Sequence, residues 1–139
     1  MAKIQKSLRI PTEIAKAIEE LSEASGQEFS TMTVELLTEA TKMRRCPGIV
    51  FVDGPSGRRA RLAATGLDVW EVIATDRSVD GDPARLRQAY HWLSETQLRA
   101  ALGYYSAYRD EIDRRIALDA RWSHERLQAQ HPSLAVTRP

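Results

Sequence analysis

The chain contains 139 residues, of which 42% are hydrophobic and 28% are charged, a composition typical of a folded protein. Its single cysteine, Cys46, excludes an internal disulfide framework and a cysteine-based zinc site. The formal net charge of +1 gives no overall attraction to nucleic acid, so DNA binding would need a local basic patch. No apolar run resembles a secretory signal or a membrane span, and we therefore expect a cytoplasmic protein without membrane contact.

The N-terminal residues 3–10 alternate between apolar and polar side chains, which predicts a strand with one apolar face. The apolar positions are Ile4, Leu8 and Ile10. A helix is predicted to follow Pro11 and to close at Gly26, and a second helix is predicted to begin with Ser30 as its N-cap. Because the strand has no partner nearby in the sequence and a lone strand is unstable, the pattern predicts antiparallel pairing between two chains.

The basic residues change type along the chain. All four lysines lie at or before Lys42, whereas fifteen of the sixteen arginines lie at or after Arg44. This step falls beside the helix-stopping sequence Cys46-Pro47-Gly48. We therefore predict a first domain at residues 1–45 and a second domain at 46–118. Beyond these lies a partly flexible extension at 119–139, in which the apolar pattern fades.

The second region predicts a mainly α-helical domain that opens with a β-hairpin. The hairpin joins residues 49–53 to 58–63 through a turn rich in glycine and proline. Three helices follow, the first over 68–76 and the second ending near His91. Their predicted N-caps are Asp68, Asp82 and Ser94. The third helix is expected to be long, because apolar residues recur along one stripe from Leu98 to Ile116.

The sequence Gln5-Lys6-Ser7-Leu8-Arg9-Ile10-Pro11 resembles the ribbon-helix-helix repressors of the Arc, CopG and MetJ groups, over residues 3–44. The resemblance implies an intermolecular two-stranded antiparallel ribbon with two helices per chain, and a ribbon that enters the DNA major groove. It also implies that the start of the second helix holds a phosphate. The candidate DNA-binding residues are Lys3, Gln5, Ser7, Arg9 and Ser30.

Residues 47–116 resemble the domain-of-unknown-function family 433. The matching segments cover residues 65–72, 93–105 and 111–113. This resemblance implies a small hairpin and a helix-turn-helix-like helical cluster. It also implies the role of an antitoxin that acts beside a PIN-like ribonuclease toxin. Together the two resemblances predict a homodimeric antitoxin that binds operator DNA and represses its own operon.

Two groups of side chains are candidates for contacting such a toxin. Tyr104 and Tyr108 share one helix face, and Arg121, Trp122 and Arg126 lie where the apolar pattern fades. An arginine suits the acidic metal site of a ribonuclease because its planar fork pairs with carboxylates. The alternative is that residues 121–126 form a frayed and solvated helix end. Trp70 and Tyr105 lie on apolar stripes and are expected in the core.

Other features leave alternatives open. Arg58, Arg59 and Arg61 form either a second DNA patch or a basic hairpin paired with nearby aspartates. We expect no catalytic residues, no metal and no cofactor, because no nucleophile, phosphate-binding or metal-ligand motif is present and the three histidines lack ligand spacing. The alternative functions are a stand-alone regulator whose second domain senses a ligand or multimerises on DNA, and a scaffold whose strand only dimerises.

Overall fold

The computed structural model describes residues 2–130, except for the side chain of Leu127. The protein is mainly helical and carries one small two-stranded antiparallel sheet. It divides into two compact units, Met1–Lys42 and Met43–Pro139. None of the helices within the described residues is long and apolar enough to cross a membrane.

The first unit contains helix α1, Thr12–Ser25, and most of helix α2, Phe29–Arg45. Helix α1 begins directly after Pro11, as predicted from the sequence. It ends at Gly26, whose φ of 70° places it in the left-handed region that glycine adopts without steric cost.

Two predictions for the first unit differ from the structure of a single chain. Residues 2–10 form no strand within one chain, so the pairing of this segment with a second chain stays a prediction. Ser30 is not the N-cap of α2, because the helix already begins at Phe29. The carbonyl oxygen of Glu28 accepts from the backbone N–H of Met32 at 3.0 Å, which places Ser30 inside the first turn.

The first unit buries few of its apolar side chains. Ile18 and Met32 are its only buried hydrophobic residues among those described. Seven large apolar side chains are instead exposed, and we call them the N-terminal apolar surface: Ile4, Leu8, Ile14, Leu21, Phe29, Val34 and Leu37. A segment of this size that leaves most of its apolar groups in water has too small a core to be stable alone.

The second unit opens with the predicted hairpin. Strand β1, Ile49–Gly54, pairs antiparallel with strand β2, Gly57–Leu62, in the register that places Ile49 opposite Leu62. Pro55 and Ser56 form the two-residue loop between the strands, and Gly57 has a φ of 111°. Only glycine adopts that conformation readily, so the hairpin depends on this residue.

Four helices follow the hairpin: α3, Val69–Ser78; α4, Pro83–Ala89; α5, Glu95–Ala107; and α6, Arg109–Gln130. The three predicted N-caps are confirmed. Asp82 accepts from the backbone N–H of Ala84 at 3.0 Å, and Ser94 accepts from that of Gln97 at 3.1 Å. These side chains satisfy backbone donors that a helix start otherwise leaves free.

The predicted single long helix is wrong, because α5 ends at Ala107 and α6 begins at Arg109. Tyr108, with φ −132° and ψ 49°, lies outside helical geometry between them. The break lets both helices pack on the unit: α5 contacts α3 and both strands, while α6 contacts α3 and α5. Helix α6 also continues to Gln130, so the described part of the predicted extension is helical; residues 131–139 lie outside the described residues.

The core of the second unit lies between the hairpin and helices α3, α5 and α6. Its largest fully buried side chains come from β2, α3 and α5 and are Leu62, Val69, Val72, Ile73 and Tyr104. Ile112 of α6 and Leu98 of α5 belong to the same cluster. Trp70 and Tyr105 pack against the core while keeping part of their surface in water, as their positions on apolar stripes predicted.

Candidate interaction surfaces

The candidate DNA-binding residues of the first unit are all accessible. Lys3, Gln5, Ser7 and Arg9 are exposed in the irregular N-terminal segment, and Ser30 is exposed in the first turn of α2. Residues 2–12 include no acidic side chain, so nothing within this segment opposes a phosphate backbone. Glu28 lies just before α2 and places a negative charge near the Ser30 position.

The three arginines of strand β2 form ion pairs with aspartates. Arg58 pairs with Asp53 at 3.1 Å, while Arg59 and Arg61 both pair with Asp68 at 3.2 Å and 2.9 Å. This arrangement favours the alternative in which these arginines serve the fold over the one in which they form a second DNA patch.

Asp68 joins β2 to α3 through its buried carboxylate. In addition to its two arginines, the carboxylate accepts from the indole Nε1–H of Trp70 at 3.1 Å. The backbone N–H of Asp68 donates to the Glu71 carboxylate at 2.9 Å, which completes the helix start. One side chain therefore fixes a strand, a helix terminus and a tryptophan ring.

Tyr104 is not a partner-binding residue, contrary to the sequence prediction, because its side chain is fully buried. Its hydroxyl donates to the Glu111 carboxylate at 2.5 Å, and its ring lies 4.9 Å from the ring of Tyr108. Burial is the main reason, and this hydrogen bond the second, why the pKa of Tyr104 lies far above its ordinary value. The phenol therefore stays protonated. Tyr108 is half-buried against the same core.

A second polar cluster joins α3, α5 and α6 near the surface. The Tyr105 hydroxyl donates to Asp113 Oδ1 at 2.8 Å, and Arg77 hydrogen-bonds both residues. The guanidinium groups of Arg77 and Arg109 lie 5.7 Å and 5.3 Å from the centre of the Tyr105 ring. The Tyr105 hydroxyl, with Arg77, holds the pKa of Asp113 below its usual range. The cluster therefore links three helices through side-chain hydrogen bonds.

An open groove lies between the hairpin loop and α6, and we call it the hairpin–α6 groove. Its volume is about 520 Å³, and its lining residues include Pro55, Ser56, Arg115, Leu118, Asp119, Trp122 and Arg126. A smaller cavity of about 210 Å³ shares Ser56, Arg115 and Leu118 with it and adds Trp70 and further arginines.

The groove contains two of the predicted partner-binding residues, Trp122 and Arg126, but not Arg121. Arg121 instead pairs with Glu125 at 3.1 Å. Sequence reasoning missed Ser56 and did not select Arg115 from the arginines of the predicted long helix. The two side chains are hydrogen-bonded to each other although 59 residues separate them along the chain. The only local signal for Arg115 was its place on the same helix face as Trp122, which is seven residues away.

The structure shows no metal centre in residues 2–130, because no three His, Cys, Asp or Glu side chains there lie close enough to hold an ion. No family model matches the chain, and no curated protein or solved structure shows significant similarity to it.

Proposed function

We propose that the protein is a homodimeric antitoxin of a type II toxin-antitoxin pair. It binds operator DNA through its first unit, represses its own operon and neutralises a PIN-like ribonuclease through its second unit. The observation that carries the proposal is the N-terminal apolar surface: Ile4 and Leu8 are 79% and 68% exposed in a single chain. Such a surface is typical of an interface rather than of a monomer.

Dimerisation accounts for this exposure in physical terms. Ile4 and Leu8 alternate with polar residues, so pairing of two N-terminal segments would turn both apolar rows toward the helices. Each fully buried Ile or Leu side chain contributes about 1.5–3 kcal/mol relative to its exposed state. Two chains that share these side chains therefore gain the core that one chain lacks.

The polar row of the same segment suits DNA. Glutamine can bond adenine bidentately, arginine can bond guanine at O6 and N7, and serine can bond either base. Gln5, Ser7 and Arg9 occur in that row, and two copies would present six such side chains to one major groove. The resemblance to ribbon-helix-helix repressors supports this assignment.

Dimerisation can be tested by sedimentation of the full chain. Leu8→Asp should give a monomer at concentrations where the wild type is a dimer, because it places a charge in the shared core. Gln5→Asp is the matched control: it adds the same charge at a polar position and should leave the dimer intact. A wild-type chain that sediments as a folded monomer at low micromolar concentration would contradict the proposal.

DNA readout can be tested with the promoter region of the protein's own gene. Arg9→Ala should weaken operator binding by about 1–3 kcal/mol and affect random DNA less. Lys3→Ala should weaken all DNA alike and reduce the dependence of affinity on salt. Equal losses on operator and random DNA for Arg9→Ala would show that Arg9 does not read bases.

The toxin-neutralising part can be tested with the product of the adjacent gene. Co-expression should rescue growth and the two proteins should co-purify, because the antitoxin blocks the ribonuclease directly. Leu8→Asp serves as a control here, since it should impair DNA binding but leave an intact second unit able to bind the toxin.

A second candidate function is a stand-alone transcriptional regulator whose second unit senses a ligand or multimerises on DNA. The volume of the hairpin–α6 groove, about 520 Å³, favours this candidate, because it falls in the range of small-molecule sites. An adjacent gene whose product neither poisons growth nor binds the protein would favour the regulator over the antitoxin.

A further inference from the structure

We infer that the hairpin–α6 groove docks an acidic segment of a partner protein. In this arrangement an apolar side chain of the partner packs beside Trp122, and partner carboxylates pair with the groove's arginines. The inference rests on the proposed partner-binding role of the second unit and deepens it by naming the surface and the chemistry of its occupant.

Among the described residues, the second half of α6 buries no side chain against its own chain. The helix has 22 residues, or about 33 Å, but Ile112 is its only buried residue among those described. From Ala120 to Gln130 every described side chain is exposed. Helices in proteins gain most of their stability from packing, so this half of α6 presents a face suited to a partner.

The floor of the groove is apolar and incompletely covered. Trp122 and Leu118 lie one helical turn apart and are 63% and 38% exposed. Pro55 of the hairpin loop forms the opposite wall. An exposed tryptophan beside a leucine is typical of the anchor positions at which a few side chains supply most of the binding energy.

The charge of the groove selects an acidic occupant. Five arginines line the groove and the adjoining smaller cavity, against the two carboxylates Glu111 and Asp119. Arg58 and Arg59 pair with aspartates that line neither cavity. Neither Arg114 nor Arg126 has an ion-pair partner among the described residues. These planar guanidinium groups are able to donate two parallel hydrogen bonds to one carboxylate.

The distribution of charge favours a protein segment over a nucleic acid. Asp119 lies on the same helix face as Arg115 and Arg126 and lines the groove between them. A uniform phosphate backbone would meet repulsion at Asp119. A peptide can place a neutral or basic residue there and keep its carboxylates for the arginines.

Selection from displayed random dodecapeptides on the full-length protein tests this inference. We expect the enriched peptides to combine several Asp or Glu residues with an aromatic residue or leucine. The affinity of each synthesised peptide, labelled with fluorescein, is then measured by anisotropy. Trp122→Ala and Arg126→Glu should each weaken binding by at least about tenfold. Both residues are exposed, so the variants should keep the wild-type melting temperature.

Arg121→Glu is the matched control, because Arg121 adjoins Trp122 on α6 but does not line the groove. It should change peptide affinity by less than about twofold. Equal loss for Arg121→Glu and Arg126→Glu, enrichment of peptides without acidic residues, or failure to select any binding peptide would overturn the inference. So would tight binding of labelled oligo(dT) or oligo(rU) that depends on Trp122, which would assign the groove to nucleic acid.

The outcome separates this inference from the proposed function. If the adjacent toxin binds equally well to the wild type and to Arg126→Glu, the antitoxin role stands and the groove is not its interface. If acidic peptides bind the groove but the adjacent gene product neither binds nor is neutralised, the docking surface stands and the antitoxin role fails.

Discussion

Removal of the Asp68 carboxylate is the most informative single perturbation of the second unit. In Asp68→Ala the guanidinium groups of Arg59 and Arg61 lose their shared partner, and Trp70 loses its hydrogen-bond acceptor. The Asp68 side chain is 3% exposed, whereas those of the two arginines are 21% and 30% exposed. Water can therefore compensate the arginines only in part.

The magnitude follows from these exposures. Breaking a buried ion pair by removing one partner costs about 3–5 kcal/mol. Because both arginines keep some contact with water, we expect the lower end of that range, a loss of about 3 kcal/mol in the free energy of unfolding. For a unit of roughly 100 residues, this corresponds to a fall in melting temperature of roughly 10–20 °C.

Urea unfolding followed by tryptophan fluorescence is the suitable assay. All three tryptophans lie in the second unit, so the signal reports that unit and not the first. Asp53→Ala is the control: Asp53 is 89% exposed in its pair with Arg58, and its loss should cost less than about 1 kcal/mol. If Asp68→Ala lies within about 1 kcal/mol of the wild type, Asp68 does not hold the hairpin on α3, and the reasoning is refuted.

Three further predictions concern the helices of the second unit. Tyr104→Phe should destabilise the unit by about 1 kcal/mol in urea unfolding, because it removes the buried hydrogen bond to Glu111 without leaving a cavity; an unchanged midpoint would show that this bond contributes nothing. Ser94→Ala should also cost about 1 kcal/mol through loss of the α5 cap, and Ser94→Asp, which keeps an acceptor, should preserve stability. The pKa of Asp113 is lowered by the Tyr105 hydroxyl, so its contribution to stability is present above the unfolded pKa of about 3.9 and is lost as the pH falls through the folded pKa. Asp113→Asn should therefore be less stable than the wild type at neutral pH, and the difference should shrink in acid; a constant difference would contradict the assignment.

Local sequence signals predicted the parts of the fold that depend on neighbouring residues. The hairpin loop and the caps at Asp82 and Ser94 are set by side chains within three residues of the turn they stabilise. Gly26 ended α1 for the same local reason. Such features are readable because the hydrogen-bond partners lie in the same short segment.

The break between α5 and α6 depends on tertiary packing, which a local sequence pattern does not predict. No glycine or proline marks Tyr108, and the apolar stripe continues across it. The acidic residues Asp110 and Glu111 in the first turn of α6 were the available signal for a new helix start. The break also explains the error at Tyr104, since a helical face assigned across a bend does not identify the side that meets the core.

The hairpin–α6 groove could be predicted only in part. Trp122 and Arg126 were identified because the apolar pattern fades around them, which leaves a tryptophan without a partner on its own helix. The opposite wall comes from the hairpin loop, which is far away in the sequence. No local pattern therefore indicated that Pro55 and Ser56 line the groove. Grooves formed by distant segments are a product of the tertiary fold and not of local periodicity.

The contacts of the arginines in the second unit give a physical reason for the change from lysine to arginine along the chain. In the second unit, arginines share Asp68, lie over the ring of Tyr105 or lie near the ring of Trp70. These geometries favour the planar, delocalised guanidinium of arginine over the compact ammonium group of lysine. Much of the positive charge of the second unit is therefore engaged within the fold.

The basic residues of the first unit are placed differently. Lys3, Lys6 and Arg9 are exposed in a segment without acidic residues, so their charge is available to a polyanion. This contrast favours DNA binding by the first unit over DNA binding by the hairpin, although the second unit contains most of the arginines. In the second unit, Arg114 and Arg126 are among the arginines without a carboxylate partner in the described residues; Arg126 lines the groove and Arg114 lines the smaller cavity beside it. In each unit, some of the unpaired positive charge thus lies at the surface where we propose that the unit meets its partner.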